Sequence, residues 1–229
     1  MNLESVKTIT SGRTSSVCHC IRYLSSKLKE HVAIKIIQSK ERAFTEINTL
    51  LMMDHPNIMN IIDVVEEDDS VGIIMPLMQM DLRGFLSRAI YPNSTTVLQI
   101  NLQIMRAVHC MHTHGILHLD IKPENICIDL LPSSVLCRLL DFGSAVVVGD
   151  IAMPLVIATT RGYQSPELIA GGMISPAGDI FSVGVVFGEL LDVQTGDISR
   201  QLSDEMQHAE YRLRPSSHAV LERLEVLNQ

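Results

Sequence analysis

Positive charge is scarce in this chain. Its 229 residues hold 18 Lys and Arg against 26 Asp and Glu, a formal net charge of −8. A nucleic-acid binder normally shows a basic face that neutralises phosphates, so the balance argues against that class and no nucleic-acid partner is expected. Long apolar runs are missing too. Val71 to Met78 and Val183 to Phe187 are broken by Gly, Pro or polar residues, far short of the roughly 20 residues a membrane-crossing helix needs. The five cysteines (Cys18, Cys20, Cys110, Cys127 and Cys137) are odd in number and lie mostly in apolar runs, with no signal-peptide pattern ahead of them. They are expected to be reduced thiols of an intracellular protein, in cytoplasm or nucleus. Cys18-His19-Cys20 lacks a second ligand pair at zinc-site spacing. No internal repeat or low-complexity segment occurs, and the length suffices for one large domain or two small lobes around a real core.

What is present centres on His118 to Gly143, HLDIKPENICIDLLPSSVLCRLLDFG. Ile126 to Ile128 and Val135 to Leu140 are apolar runs of strand length separated by Leu131-Pro132-Ser133-Ser134 turn chemistry, so a hairpin is predicted that returns the two flanking polar clusters to one end. Asp120, Asn125 and Asp141 would then face one cavity, with Lys122 beside them. Hard oxygen donors for Mg²⁺ and a carboxylate able to take a hydroxyl proton are what a magnesium-bound phosphate donor requires.

Several further motifs occur in order: Val32-Ala33-Ile34-Lys35, Glu46, His118-x-Asp120-x-Lys122-Pro-Glu-Asn125, Asp141-Phe142-Gly143, Ser165-Pro166-Glu167 and Asp179. This ordered set resembles the eukaryotic-type protein kinases, and the resemblance runs from about Ile9 to Arg214. It implies an α+β, two-lobed protein-kinase-like fold over residues 1–229. A small antiparallel β-sheet lobe with one helix would extend to about residue 77, and a larger, shortened, mainly helical lobe would follow from about residue 78. The compactness is similar to that of kinases from large DNA viruses.

In the first lobe, Ile9 to Arg22 reads as two strands joined by a small-residue turn. Read alone this is a polar hairpin; its position ahead of Val32-Ala33-Ile34-Lys35 makes it resemble the family's nucleotide loop, with Ile9, Thr10, Gly12, Ser15 and Val17 against the nucleotide. Aligned on Val17, the loop glycines would fall at Thr10, Gly12 and Ser15, and only Gly12 is one. His31 to Ile37 alternates like a strand with both faces partly buried. Lys35 in its middle would be costly without a partner. Glu46 is the candidate, on the edge of the apolar face of a helix predicted from Arg42 to Met53. By resemblance, Lys35 holds the α- and β-phosphates and Glu46 orients it. Strands are predicted at Met59 to Val65 and Val71 to Met75. Met75-Pro76-Leu77-Met78 resembles the family's hinge, with Met75 behind the adenine. There Pro76 offers only a carbonyl and Met78 the N–H, Val17, Ala33 and Cys127 sandwich the purine, and Asp81 accepts from the ribose.

In the second lobe, Thr95 to His114 is an amphipathic helix stopped by Gly115. By resemblance Asp120 is the catalytic base, Lys122 neutralises the transferring phosphoryl, and Asn125 and Asp141 ligate Mg²⁺. His118 and Phe142 resemble packing elements. Leu119 stands where the family usually has Arg, the receiver of an activation-loop phosphate, so activity that does not wait on phosphorylation of Thr159 or Thr160 is expected. Thr160 also matches the threonine that bridges base and lysine in serine/threonine kinases. Ser144 to Ile157 is an apolar activation segment. Glu167 resembles an acid that pairs with Arg214, and Asp179 should accept backbone N–H bonds from the catalytic loop. Phe181 stands where the family often has Trp. Few residues separate Asp179 from Arg214, so a docking helix and its loop look trimmed. An amphipathic helix over Ser216 to Leu227 closes the chain.

The resemblance implies ATP and Mg²⁺ as cofactors and Ser/Thr-bearing proteins as substrates. The reading from another class is a pseudokinase that binds nucleotide or a partner without phosphoryl transfer, favoured by the degenerate glycine loop, Leu119 and the short second lobe. A small-molecule kinase of related fold is disfavoured by Thr160 and Ser165-Pro166-Glu167. Oligomeric state has no signature in the sequence.

Overall fold

The computed structural model describes residues 2–12, 14–25, 27–88, 92–148, 160–191 and 197–228. Thr159 and residues 149–157 of the activation segment lie outside these. The chain divides into two compact units, Met1–Asp54 with Met59–Met78, and His55–Ile58 with Gln79–Gln229.

In the first unit, β1 (Asn2–Ser11), β2 (Ser15–Tyr23), β3 (Lys29–Ile37), β4 (Asp63–Glu66) and β5 (Val71–Pro76) form one antiparallel sheet in the order β1-β2-β3-β5-β4. β5 is buried from Val71 to Met75, which suits its inner place in that order. Val32 and Ile34 of β3 share a core cluster with Cys20 and Ile74. Because strand side chains alternate, Ala33, Lys35 and Ile37 then take the other face. Between β3 and β4 lies α1 (Lys40–Leu51), begun by the Ser39 hydroxyl, which accepts from the Arg42 N–H. Ala43, Ile47 and Leu50 are buried at helical spacing and bring Glu46 inward with them.

The expected strand at Met59 to Val65 begins only at Asp63. Asn57 and Ile58, just before the expected strand, are tied within the second unit. The Asn57 carbonyl accepts from Leu139 N–H at 2.9 Å, and its side-chain amide donates to Gln103 Oε1 and to the Cys137 carbonyl. Ile58 makes a parallel bridge to Leu139.

The second unit adds a three-stranded antiparallel sheet, in the order β6 (Met80–Asp81), β8 (Ile126–Leu131) and β9 (Ser134–Leu139), and a small pair of β7 (Ile116–Leu117) with β10 (Val146–Val147). Its helices are α2 (Leu82–Leu86), α3 (Ser94–Thr113), α4 (Pro166–Ile169), α5 (Pro176–Leu191), α6 (Asp197–Met206) and α7 (Ser217–Leu227). Asn93 caps α3, whose face of Val97, Ile100, Ile104, Ala107, Val108 and Met111 is buried. Gly115, at φ +68°, turns the chain out of it into β7. α5 starts at Pro176, three residues before Asp179, because proline suits a first helical turn. Between α5 and Arg214 the described residues supply α6 and a 3₁₀ turn at Tyr211–Leu213.

All five cysteines are free thiols. No helix among the described residues is long and apolar enough to cross a membrane.

α5 and α6 meet at a glycine. A Cβ on Gly184 would fall 2.8 Å from Met206 Cβ and 3.2 Å from the Ser203 carbonyl, whereas one on Gly188 would meet nothing nearer than 3.5 Å. Gly184→Ala is therefore expected to destabilise the protein by about 1–3 kcal/mol in urea unfolding. Gly188→Ala should be neutral or stabilising by up to about 1 kcal/mol, from its better helix propensity.

Candidate active site

In the first unit the decisive pair is Lys35 with Glu46. Register places Lys35 opposite Val17 on β2 and Ile73 on β5, and the inward face of α1 supplies Glu46. The Lys35 ammonium donates to both Glu46 carboxylate oxygens at 2.7 Å, with the two side chains only 9% and 3% exposed. A lysine so buried requires such compensation. Thr10 pairs with Val17 and Ala33 with Met75, while Pro76 ends β5 opposite Val32. Ile9 falls at an irregularity of β1, and its side chain is exposed. The Gly12 N–H closes the turn on the Ser15 carbonyl at 2.9 Å. None of Thr10, Gly12 and Ser15 has positive φ, so these three positions do not adopt the conformation that would demand glycine. Met78 ends the unit half-buried.

The second unit carries the remaining candidates. The β8–β9 hairpin returns as expected: Ile126 pairs with Leu139, and Leu140 N–H donates to the Asn125 carbonyl at 3.0 Å. Asn125 and Asp141 therefore flank adjacent strand ends. Asp81 pairs with Cys127 across β6 and β8, and its Oδ1 caps α2 by accepting from Gly84 N–H at 2.6 Å. Burial first, then Asp81 and Asp129, pushes the Cys127 thiol up to about 12, so it presents a neutral sulfur.

Asp120 sits at the convergence of hydrogen bonds. Its Oδ2 accepts from Lys122 Nζ at 2.7 Å and Asn125 Nδ2 at 3.1 Å. Its Oδ1 accepts from the Thr160 hydroxyl at 2.9 Å and the Thr160 N–H at 3.1 Å. Lys122 also donates to the Thr160 hydroxyl at 2.6 Å. Asn125 directs its side-chain amide N–H to Asp120, so its Oδ1 is the atom that could meet a metal. With the Asp141 carboxylate this makes two hard oxygen donors, which fits a Mg²⁺ that keeps waters and takes phosphate oxygens. No three His, Cys, Asp or Glu residues among those described form a larger metal group.

The loop carrying Asp120 is hung from one buried carboxylate. Asp179, fully buried, accepts the backbone N–H groups of His118 and Leu119, each at 2.9 Å, and His112 Nε2 at 3.1 Å. Burial alone would raise its carboxyl, but the His112 bond and charge, His118 and the Leu119 N–H outweigh this and hold it below the usual 3.8. His118 Nε2 lies 3.1 Å from the Leu140 carbonyl, which can only accept, and its Nδ1 receives Asp120 N–H at 3.3 Å. These partners assign the Nε2–H tautomer. The imidazole stacks obliquely on Phe142 at 4.9 Å. Leu119 and Asp141 are the non-glycine residues with positive φ, +65° and +66°, among those described. Such strain is unusual for leucine and mild for aspartate.

Arg214 and Glu167 form the expected pair, with bidentate bonds of 2.7 and 2.8 Å, and Arg214 also donates to the Ala177 carbonyl. Its guanidinium lies over Phe181 at 4.9 Å. Two features had no forecast from sequence. One is His112 as third partner of Asp179. The other is a cluster in which Arg83 reaches Glu124, Glu189 and Tyr163.

Comparison with known proteins matches residues 3–221 to the protein kinase domain. The chain belongs to the protein kinase family. Its antiparallel sheet unit with α1 and its mainly helical unit are the two lobes of that α+β fold. The kinase chain is similar to cyclin-dependent kinase G1 of Arabidopsis thaliana, 35% identical over 182 residues, covering 72% of this chain and 29% of that protein. It is also similar to cyclin-dependent kinase F-4 of Oryza sativa subsp. japonica, 31% identical over 196 residues, with 82% and 41% covered. Human calcium/calmodulin-dependent protein kinase type IV is 28% identical over 176 residues, with 76% and 37% covered. The kinase chain thus spans well under half the length of these relatives.

Two expectations follow for the anchors. Arg214→Met leaves Glu167 and the carbonyls of Ala177 and His208 without their cation and should cost about 3 kcal/mol in urea unfolding. For Asp179 the folded carboxyl lies below the ordinary 3.8, so its contribution is complete above that value and disappears as pH falls through the lower folded one. The stability gap between the parent and Asp179→Asn, measured across pH, should be widest near neutrality and narrow below about 3.8.

Proposed function

We propose that this chain is an ATP-dependent serine/threonine protein kinase. The observation that carries the reading is the Thr160 hydroxyl, which donates to Asp120 and accepts from Lys122. An acceptor Ser or Thr hydroxyl needs the same surroundings: a carboxylate to receive its proton and a cation beside its oxygen. In the proposed reaction the acceptor oxygen attacks the γ-phosphorus, Asp120 takes the proton and ADP leaves, with Lys122 offsetting the charge of the transferring group. Lys35, held by Glu46, binds the α- and β-phosphates. Ile9, Thr10, Gly12, Ser15 and Val17 cover the nucleotide, Ala33 and Cys127 line the purine, Pro76 and Met78 meet its edge, and Asp81 the ribose. Asn125 and Asp141 hold Mg²⁺, which when bound neutralises the phosphates. One kinase domain occupies the whole chain.

Leu119 supports activity independent of a phosphorylated activation loop. It is buried against Leu117 and Val146, with Ile174 alongside, where a phosphate-binding guanidinium would be out of place.

A pseudokinase is the second reading, favoured by Thr10 and Ser15 in the nucleotide loop. A γ-phosphate transfer assay on a generic basic protein separates the two. Transfer by the parent is expected, with a loss of about 10²–10⁴-fold in Asp120→Asn and a strong loss in Lys35→Met. Magnesium-dependent ATP binding without transfer by the parent would select the pseudokinase.

A further inference from the structure

The Cys18-His19-Cys20 run does not act as one unit in the fold. Cys20 belongs to the core cluster of Val32, Ile34 and Ile74, and Cys18 packs against it. His19 therefore takes the other face of β2, where it meets a histidine of the next strand. His19 pairs with Ala33 and Ile21 with His31 across β2 and β3, so the two histidines are diagonal neighbours on one sheet face. His19 Nε2 stands 2.7 Å from His31 Nδ1, with ring centroids 4.9 Å apart and planes tilted by 48°. His31 is exposed and His19 half-buried, so a small solute can reach the pair.

Four features suit these nitrogens to a shared metal ion. First, β2 lies between β1 and β3, and β3 between β2 and β5, so both rings stand on rigid interior strands. Second, two imidazoles on one ion at about 2.0–2.1 Å have nitrogens about 2.9–3.4 Å apart for bond angles of about 90–109°. From the observed 2.7 Å that is an opening of about 0.2–0.7 Å, within reach of small side-chain rotations. Third, His19 Nδ1 and His31 Nε2 make no hydrogen bond among the described residues, so each can carry the proton that a ligating imidazole keeps on its far nitrogen. Fourth, desolvation, then His31 and Lys7, lowers His19 below its ordinary 6.5, which favours the neutral ring that binds metal. Lys7, opposite His19 on β1, is itself exposed, and solvent screens its charge.

We propose that His19 and His31 form a surface site for a divalent transition ion of the class imidazole prefers, such as Zn²⁺, Ni²⁺ or Cu²⁺. The ion takes the place of the proton between the two nitrogens, and that proton moves to the far nitrogen of the ring that carried it. Water fills the other positions. No group of three or more ligands occurs among the described residues, so the site has two protein donors and binds more weakly than a four-ligand structural zinc site. None of the residues assigned to phosphoryl transfer supplies a ligand, and the inference is independent of the kinase reading.

Isothermal titration of the full chain with ZnCl₂, in excess MgCl₂ so that hard oxygen donors are already engaged, tests this. The parent is expected to bind, with a loss of about tenfold or more in affinity in His19→Gln and in His31→Gln, each of which removes one of two donors. Cys18→Ser and His109→Gln should leave the affinity unchanged. A parent that takes up no zinc, an affinity equal in the parent and both glutamine variants, or one lost in Cys18→Ser instead, overturns the inference. Ring-nitrogen NMR of the parent decides whether or not a variant folds. Zinc should shift the rings of His19 and His31 together, and shifts confined to other histidines would sink the proposal.

Discussion

The second unit depends on a single buried anion. Asp179 is fully buried, so the lone pairs it presents need hydrogen-bond donors. The structure meets them with an imidazole from α3 and two backbone N–H groups of the loop that carries Asp120. Each of these donors has few alternatives: the backbone amides have left regular structure after β7, and His112 is nearly buried itself. The geometry is therefore mutual. The carboxylate compels the loop to curl around it, and the loop's curvature puts Leu119 into a left-handed conformation that leucine otherwise avoids. Strain of this kind, about 1–3 kcal/mol, persists only where surrounding bonds over-determine it.

From that anchor the order spreads by short steps. His118 receives the Asp120 N–H on one ring nitrogen and gives its proton to the Leu140 carbonyl with the other, tying the loop to the end of β9. Asn125 ties its other side, through Asp120 and through Leu140. Asp120 is thus held in place by its neighbours on both sides, a preorganised arrangement of dipoles and charges. In the first unit the comparable element is the Lys35–Glu46 pair. There the sheet register and the face of α1 meet, and removing one member would leave charge in a dry place.

Much of this was legible in sequence because the informative residues are close together in the chain or fixed by period. The spacing from His118 to Asn125 confines those groups to one loop, the hairpin signal brings Asp141 back to it, and the apolar face of α1 points Glu46 inward. The longer pairings, Arg214 with Glu167 and Asp179 with the loop amides, were reachable only through family resemblance. What escaped had neither route. The partners of Arg83 lie 41, 80 and 106 positions away and are residue types that occur on any surface. Met59 to Ile62 has the composition of a strand, but Asn57 fixes the stretch just before it to β9 and α3, a tertiary preference that overrides the local one. The left-handed backbone of Leu119 had no signal at all, since nothing in its side chain favours it.

The small cluster of Leu117, Leu119, Val146 and Ile174 has a consequence for how the segment after Gly143 responds to its surroundings. Where a loop is held by an ion pair, added salt loosens it and a phosphatase can release it. Contacts between aliphatic side chains offer no handle to either. Their strength follows water instead: it fades on cooling and grows in the presence of excluded solutes such as sulfate or sucrose. Temperature and crowding solutes, rather than ionic strength, would therefore govern how firmly β10 stays against β7.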